Sequence, residues 1–86
     1  MPHVIMYTTE YCPYCERARQ LLNHKNIAFD EIRVDNDPQK REEMISKSQR
    51  HTVPQIFING KAIGGCDDLY ALEASGKLDT LRLTEE

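Results

Sequence analysis

Residues 3–22 read HVIMYTTEYCPYCERARQLL. The first six, His3–Thr8, make a short β-type run. From Cys12 to Lys25 the apolar residues Ala18, Leu21 and Leu22 recur with a helical period. Pro13 suits the first turn of that helix, where its missing N–H would be unpaired in any case. Cys12 and Cys15 therefore fall where a strand hands over to a helix. They could be half of a metal site, a structural staple or a redox pair, and the rest of the chain has to choose.

Outward from this junction, Ala28–Val34 (AFDEIRV) reads as a second strand. Strand, helix, strand implies a parallel pair with a right-handed crossover. Asp37-Pro38 is a cap followed by a first-turn proline, opening a helix to about Ser48 with Met44 and Ile45 inward. Then comes QIFINGKAIGG, residues 55–65, in which Asn59-Gly60 separates two apolar runs. That pair is a strong hairpin signal, because a type I′ turn needs two positive φ angles. Gly64-Gly65 closes the fourth strand. Asp67 or Asp68 is expected to start a third helix, DLYALEAS, ended by Gly76. Leu78, Leu81 and Leu83 suggest a short final helical segment packed on the core. The order β-α-β-α-β-β-α places the chain in the α/β class, as one four-stranded mixed sheet flanked by helices. Tyr7, Phe29, Phe57 and Leu69 read as core. Residues 1–86, without repeats or a linker, are expected to form a single domain.

A formal charge of −3 leaves no basic footprint for nucleic acid. The first ten residues lack a basic n-region, and no apolar run approaches the length of a membrane span. A cytoplasmic protein in a reducing compartment is expected. Three cysteines, an odd number, argue against a closed set of structural disulfides. Structural zinc needs a second ligand pair, and Cys66, His3, His24 and His51 supply none at metal spacing. No metal is expected, and the histidines have no role implied by spacing.

The redox reading has a mechanism. Cys12 would sit at the helix N-terminus, where unpaired N–H groups and the macrodipole stabilise an anion. Cys15 lies one turn on, so the sulfurs share a face and can bridge. Thiolate is the reactive form, and a thiol near pKa 8.5 is only a few per cent ionised at neutral pH. Bringing such a thiol to about 5 takes differential stabilisation of about 5 kcal/mol. Cys12 is therefore the expected nucleophile and Cys15 the resolving thiol.

CPYC at 12–15, TVPQIFI at 52–58 and GGCDDLYAL at 64–72 together resemble the dithiol glutaredoxins, and in particular their short bacterial type, which share the thioredoxin fold. The resemblance spans essentially the whole chain. It implies a glutathione-disulfide oxidoreductase that reduces glutathione mixed disulfides and protein disulfides, including that of ribonucleotide reductase. It implies a cis bond before Pro54, which lets Val53 present its backbone to a peptide as an added strand would. Read alone, Thr52-Val53-Pro54 would be a plain turn. Glutathione contacts are expected at Tyr14, Thr52, Val53, Pro54, Gln55, Gly65, Cys66, Asp67 and Asp68. Gln55 would serve the glycyl carboxylate; the backbone N–H groups of Cys66 and Asp67 would serve the γ-glutamyl carboxylate. The Asp67 side chain, joined by Asp68, would face the amine, although either aspartate could simply cap a helix. The Cys66 side chain reads as a small apolar filler. Glutathione would be a co-substrate, no other cofactor is implied, and a monomer is expected. One departure is Thr9, where relatives commonly carry a lysine; Arg17 could compensate, and Glu10 and Glu16 oppose it. Two rivals stand beside this reading: a thioredoxin-like reductase fed by a flavoenzyme, and an iron–sulfur carrier sharing a cluster between two chains.

Overall fold

A computed structural model of the chain describes residues 3–83, with side chains to residue 80. Its elements are β1 (Val4–Thr8), α1 (Pro13–His24), β2 (Asp30–Arg33), α2 (Pro38–Ser48), β3 (Gln55–Ile58), β4 (Lys61–Gly64), α3 (Cys66–Ala74) and α4 (Lys77–Leu83). The four strands form one sheet in the order β2-β1-β3-β4. β1 pairs parallel with β2 and antiparallel with β3, and β3 with β4 is antiparallel. This is the four-stranded mixed sheet read from the sequence, and it agrees with the thioredoxin-like fold that the resemblance implied. The hairpin turn has positive φ at both Asn59 and Gly60, 53° and 81°, as a type I′ turn requires.

Strand alternation splits the core. Val4, Met6, Ile56 and Ile58 point to one face and meet Ala18, Leu21 and Leu22 of α1, Cys66 and Leu69 of α3 and Leu78 of α4. Tyr7 and Phe57 point to the other and pack with Val34 and Met44. Their rings meet edge to face, centroids 5.6 Å apart. Phe29 is only half-buried, against the first cluster. The side chains of Leu81 and Leu83 lie outside the described residues.

Polar ties fasten helices to the sheet. Thr8, fully buried, donates its hydroxyl to Glu31 at 2.7 Å, and Arg19 of α1 donates to both oxygens of the same carboxylate at 3.0 Å. These bonds, with Arg19 the larger cause, hold the Glu31 carboxyl below its usual range. The buried Tyr7 phenol donates to Glu43 at 2.5 Å, which burial of a hydroxyl demands. The segment Lys40-Arg41-Glu42-Glu43, which reads in the sequence as a solvated face, thus contributes one carboxylate to the sheet.

Two boundaries differ from expectation. β2 is shorter than Ala28–Val34 because its ladder with β1 pairs only Asp30 to Arg33. Helix α3 starts at Cys66, not at an aspartate, because extended Gly65 is its N-cap and Asp68 reaches back to accept the Gly65 N–H at 2.9 Å. Asp37 caps α2 as expected, its carboxylate accepting the Lys40 N–H at 3.1 Å. Asp37→Ala should cost about 1 kcal/mol, lowering the melting temperature by about 4–8 °C in a thermal melt.

Candidate active site

The first turn of α1 is built around Cys12. Its backbone is extended (φ −142°, ψ 96°), and its sulfur accepts the N–H of Cys15 at 3.0 Å. A sulfur takes the place that a serine or aspartate oxygen usually fills at a helix N-cap. The N–H groups that the helix leaves unpaired there favour negative charge on it. Cys15 is fully buried under α1, whereas Cys12 is partly exposed. The Cα atoms are 5.1 Å apart and the two sulfurs lie at bridging distance, so the pair can form a disulfide.

The side chains near Cys12 add little charge. Arg17 lies over the Tyr70 ring of α3, 5.4 Å from its centroid. Glu16 is paired with Arg19, and Glu10 with Arg33 at 3.7 Å. The acids expected to oppose a thiolate are therefore each matched by an arginine. The donor that α1 brings to the Cys12 sulfur is the Cys15 N–H.

Beside the cysteines, a groove of about 310 Å³ runs between the Thr52–Pro54 loop and the start of α3. The Val53–Pro54 peptide is cis, and the Val53 carbonyl oxygen lies 3.8 Å from the Cys12 sulfur. Tyr14 stands at the groove and is 55% exposed; Tyr11, 91% exposed, does not line it. Thr52, Val53 and Pro54 form one wall, and Gly65, Cys66, Asp67 and Asp68 the other.

Gln55 is the exception. It is buried, and its side-chain amide donates to the Thr52 carbonyl at 3.0 Å and hydroxyl at 3.2 Å. A buried amide must be satisfied, so Gln55 shapes the Thr52–Pro54 loop from behind and does not line the groove. Cys66 packs into the core, 4% exposed. Burial pushes its thiol above the usual value, with Arg17 opposing and Asp67 adding to the shift, which suits a filler better than a nucleophile.

Arg50 is the groove residue that the sequence did not reveal. Its guanidinium donates to Asp68 at 3.0 Å. Nothing local marks an arginine that pairs with a carboxylate 18 positions on. A larger cavity, about 560 Å³, lies away from the cysteines between β4, α3 and α4. Among the described residues, no group of three or more His, Cys, Asp or Glu could hold a metal ion, and no helix is long and apolar enough to cross a membrane.

A CxxC pair at the head of a helix, on a four-stranded mixed sheet with a cis-proline loop opposite, defines a thioredoxin-fold dithiol oxidoreductase. A family model described as Glutaredoxin matches residues 4–63. The chain is 58% identical over 81 residues to Glutaredoxin 3 of Escherichia coli (strain K12), covering 94% of this chain and 98% of that protein. It resembles the solution structure of glutaredoxin from Brucella melitensis with a TM-score of 0.81 and 54% identity, over 92% of this chain and 86% of that one. A crystal structure of the buckwheat glutaredoxin–glutathione complex superposes with a TM-score of 0.84 at 28% identity, over 91% and 74% of the two chains. The protein belongs to the glutaredoxin family and is a thiol–disulfide oxidoreductase.

Proposed function

We propose that the protein, folded as a single domain over residues 1–86, reduces glutathione mixed disulfides and protein disulfides at the expense of glutathione. The observation that carries this reading is the Cys12 sulfur, bonded to the Cys15 N–H beside a groove whose far wall begins a helix. The Cys12 thiolate attacks the glutathione sulfur of a mixed disulfide; that S–S bond breaks and the substrate leaves as a thiolate. A second glutathione thiolate attacks the glutathionyl sulfur on Cys12, yielding oxidised glutathione and the Cys12 thiolate. With a protein disulfide, Cys12 forms the mixed disulfide, and the Cys15 thiolate attacks the Cys12 sulfur. The substrate is released as a dithiol and the Cys12–Cys15 disulfide remains.

For glutathione, Tyr14 offers a ring face, and Thr52, Val53 and Pro54 an edge of backbone. The N–H groups of Cys66 and Asp67 at the start of α3 suit the γ-glutamyl carboxylate. The Asp67 carboxylate, which makes no hydrogen bond or ion pair among the described residues, suits the ammonium group. Ribonucleotide reductase is among the fitting protein disulfides, the protein acts as a monomer in the reducing cytosol, and glutathione is its co-substrate without a further cofactor.

The test is reduction of a small glutathione mixed disulfide, coupled to glutathione reductase, with glutathione varied. Saturable, glutathione-dependent turnover is expected; turnover supported only by a flavoenzyme thioredoxin reductase would overturn the reading. Equilibration with a glutathione buffer should place the dithiol some 40–70 mV above thioredoxin, roughly 2–3 kcal/mol for two electrons.

A further inference from the structure

We propose that Arg50 is a positioning residue of the groove: through Asp68 it holds the Gly65 N–H, and so aims the first amides of α3 at the γ-glutamyl carboxylate of glutathione. The inference rests on the glutathione reading above and deepens it. One oxygen of Asp68 accepts from two donors, the Gly65 N–H at 2.9 Å and Arg50 Nη1 at 3.0 Å. Gly65 is the N-cap of α3, so its orientation fixes the N–H groups that follow. Arg50 in turn stands two residues before Thr52, which opens the opposite wall. The ion pair therefore ties one wall of the groove to the other.

Gly64 makes room for the arrangement. A Cβ there would collide with the Asp68 carboxylate and come within 3.1 Å of Arg50 Nη1. The pair also divides labour between the aspartates. Asp68 is committed to Gly65 and Arg50, which leaves Asp67 for the ammonium group. Both partners are about half exposed, 53% and 44%, and an ion pair of that exposure adds little to global stability. Its consequence is the placement of a cap, not the survival of the fold.

An alternative is that Arg50 acts directly, as a cation attracting the carboxylates of glutathione. Asp68→Asn separates the two, because it weakens the tie while leaving the cation in place. If Arg50 works through Asp68, Asp68→Asn and Arg50→Ala should each raise the KM for glutathione about 5- to 10-fold, with kcat at saturating glutathione changed less than two-fold. The double variant should be no worse than the poorer single, as expected of residues acting as one unit. Arg50→Lys should recover most of the loss. A glutathione-independent readout accompanies the kinetics: hydrogen exchange of the Gly65 amide should quicken about ten-fold in Arg50→Ala. A lower KM in Asp68→Asn, additive losses, or unchanged Gly65 exchange would overturn the proposal. Wild-type protein that does not saturate with glutathione would instead overturn the reading on which the proposal rests.

Discussion

Cys12→Ser is expected to abolish reduction of glutathione mixed disulfides, a loss on the order of 10³-fold or more as for removal of other enzymic nucleophiles. Cys15→Ser should keep that activity and lose reduction of protein disulfides. The asymmetry comes from the first turn of α1. The Cys12 sulfur caps the helix, accepts the Cys15 N–H at 3.0 Å and is partly open to solvent. Cys15 is fully buried beside it and meets only a sulfur already delivered to Cys12. Serine at 12 could fill the cap, because a hydroxyl accepts the same N–H. Cys12→Ser should therefore stay folded, and its inactivity would report lost chemistry, not lost structure. Steady-state assays with a small mixed disulfide and with a disulfide-containing protein, beside thermal melts, check all three statements. An active Cys12→Ser with a dead Cys15→Ser would reverse the roles and end the mechanism.

The features legible in the sequence share a physical property: each is dictated within a few residues. Asn59-Gly60 requires positive φ at both positions; Asp37-Pro38 is a cap and a first-turn proline; CPYC needs only a helix to bring two sulfurs together. The groove residues from Thr52 to Pro54 and from Gly65 to Asp68 came from resemblance to a family, because no local rule brings those two segments together. What escaped depends on long-range packing. Arg50 meets Asp68 across 18 positions, and Glu43 meets Tyr7 across 36, so neither pair leaves a trace in spacing. Gln55, expected at the groove, lies behind it for a related reason. Its position beside the groove in sequence says nothing about which side of the chain its amide faces, and burial turned it toward Thr52.

Gly64→Ala should be the most damaging of the alanine substitutions at Gly60, Gly64 and Gly65, costing about 2–3 kcal/mol and about 10 °C or more in melting temperature. Three glycines separate the causes. At Gly60, φ is 81° and nothing lies within 4 Å of an added Cβ, so Gly60→Ala pays only the left-handed backbone penalty of about 1–2 kcal/mol. At Gly65, φ is −96° and the nearest atom would be the Pro54 carbonyl oxygen at 3.4 Å. Alanine there is tolerated by the backbone and merely narrows the groove. Gly64 has both difficulties at once: φ is 116°, and the Cβ would strike the Asp68 carboxylate. That carboxylate is the end of a flexible side chain, but it can turn away only by giving up its hydrogen bonds to the Gly65 N–H and to Arg50. Pushing it aside uncaps α3 and separates the groove walls together. Stability and glutathione affinity should therefore fall in parallel in Gly64→Ala, stability alone in Gly60→Ala, and affinity alone in Gly65→Ala. Thermal melts and glutathione KM values for the three variants test this ordering, and equal stability losses at Gly64 and Gly60 would show that the Asp68 carboxylate moves aside without cost.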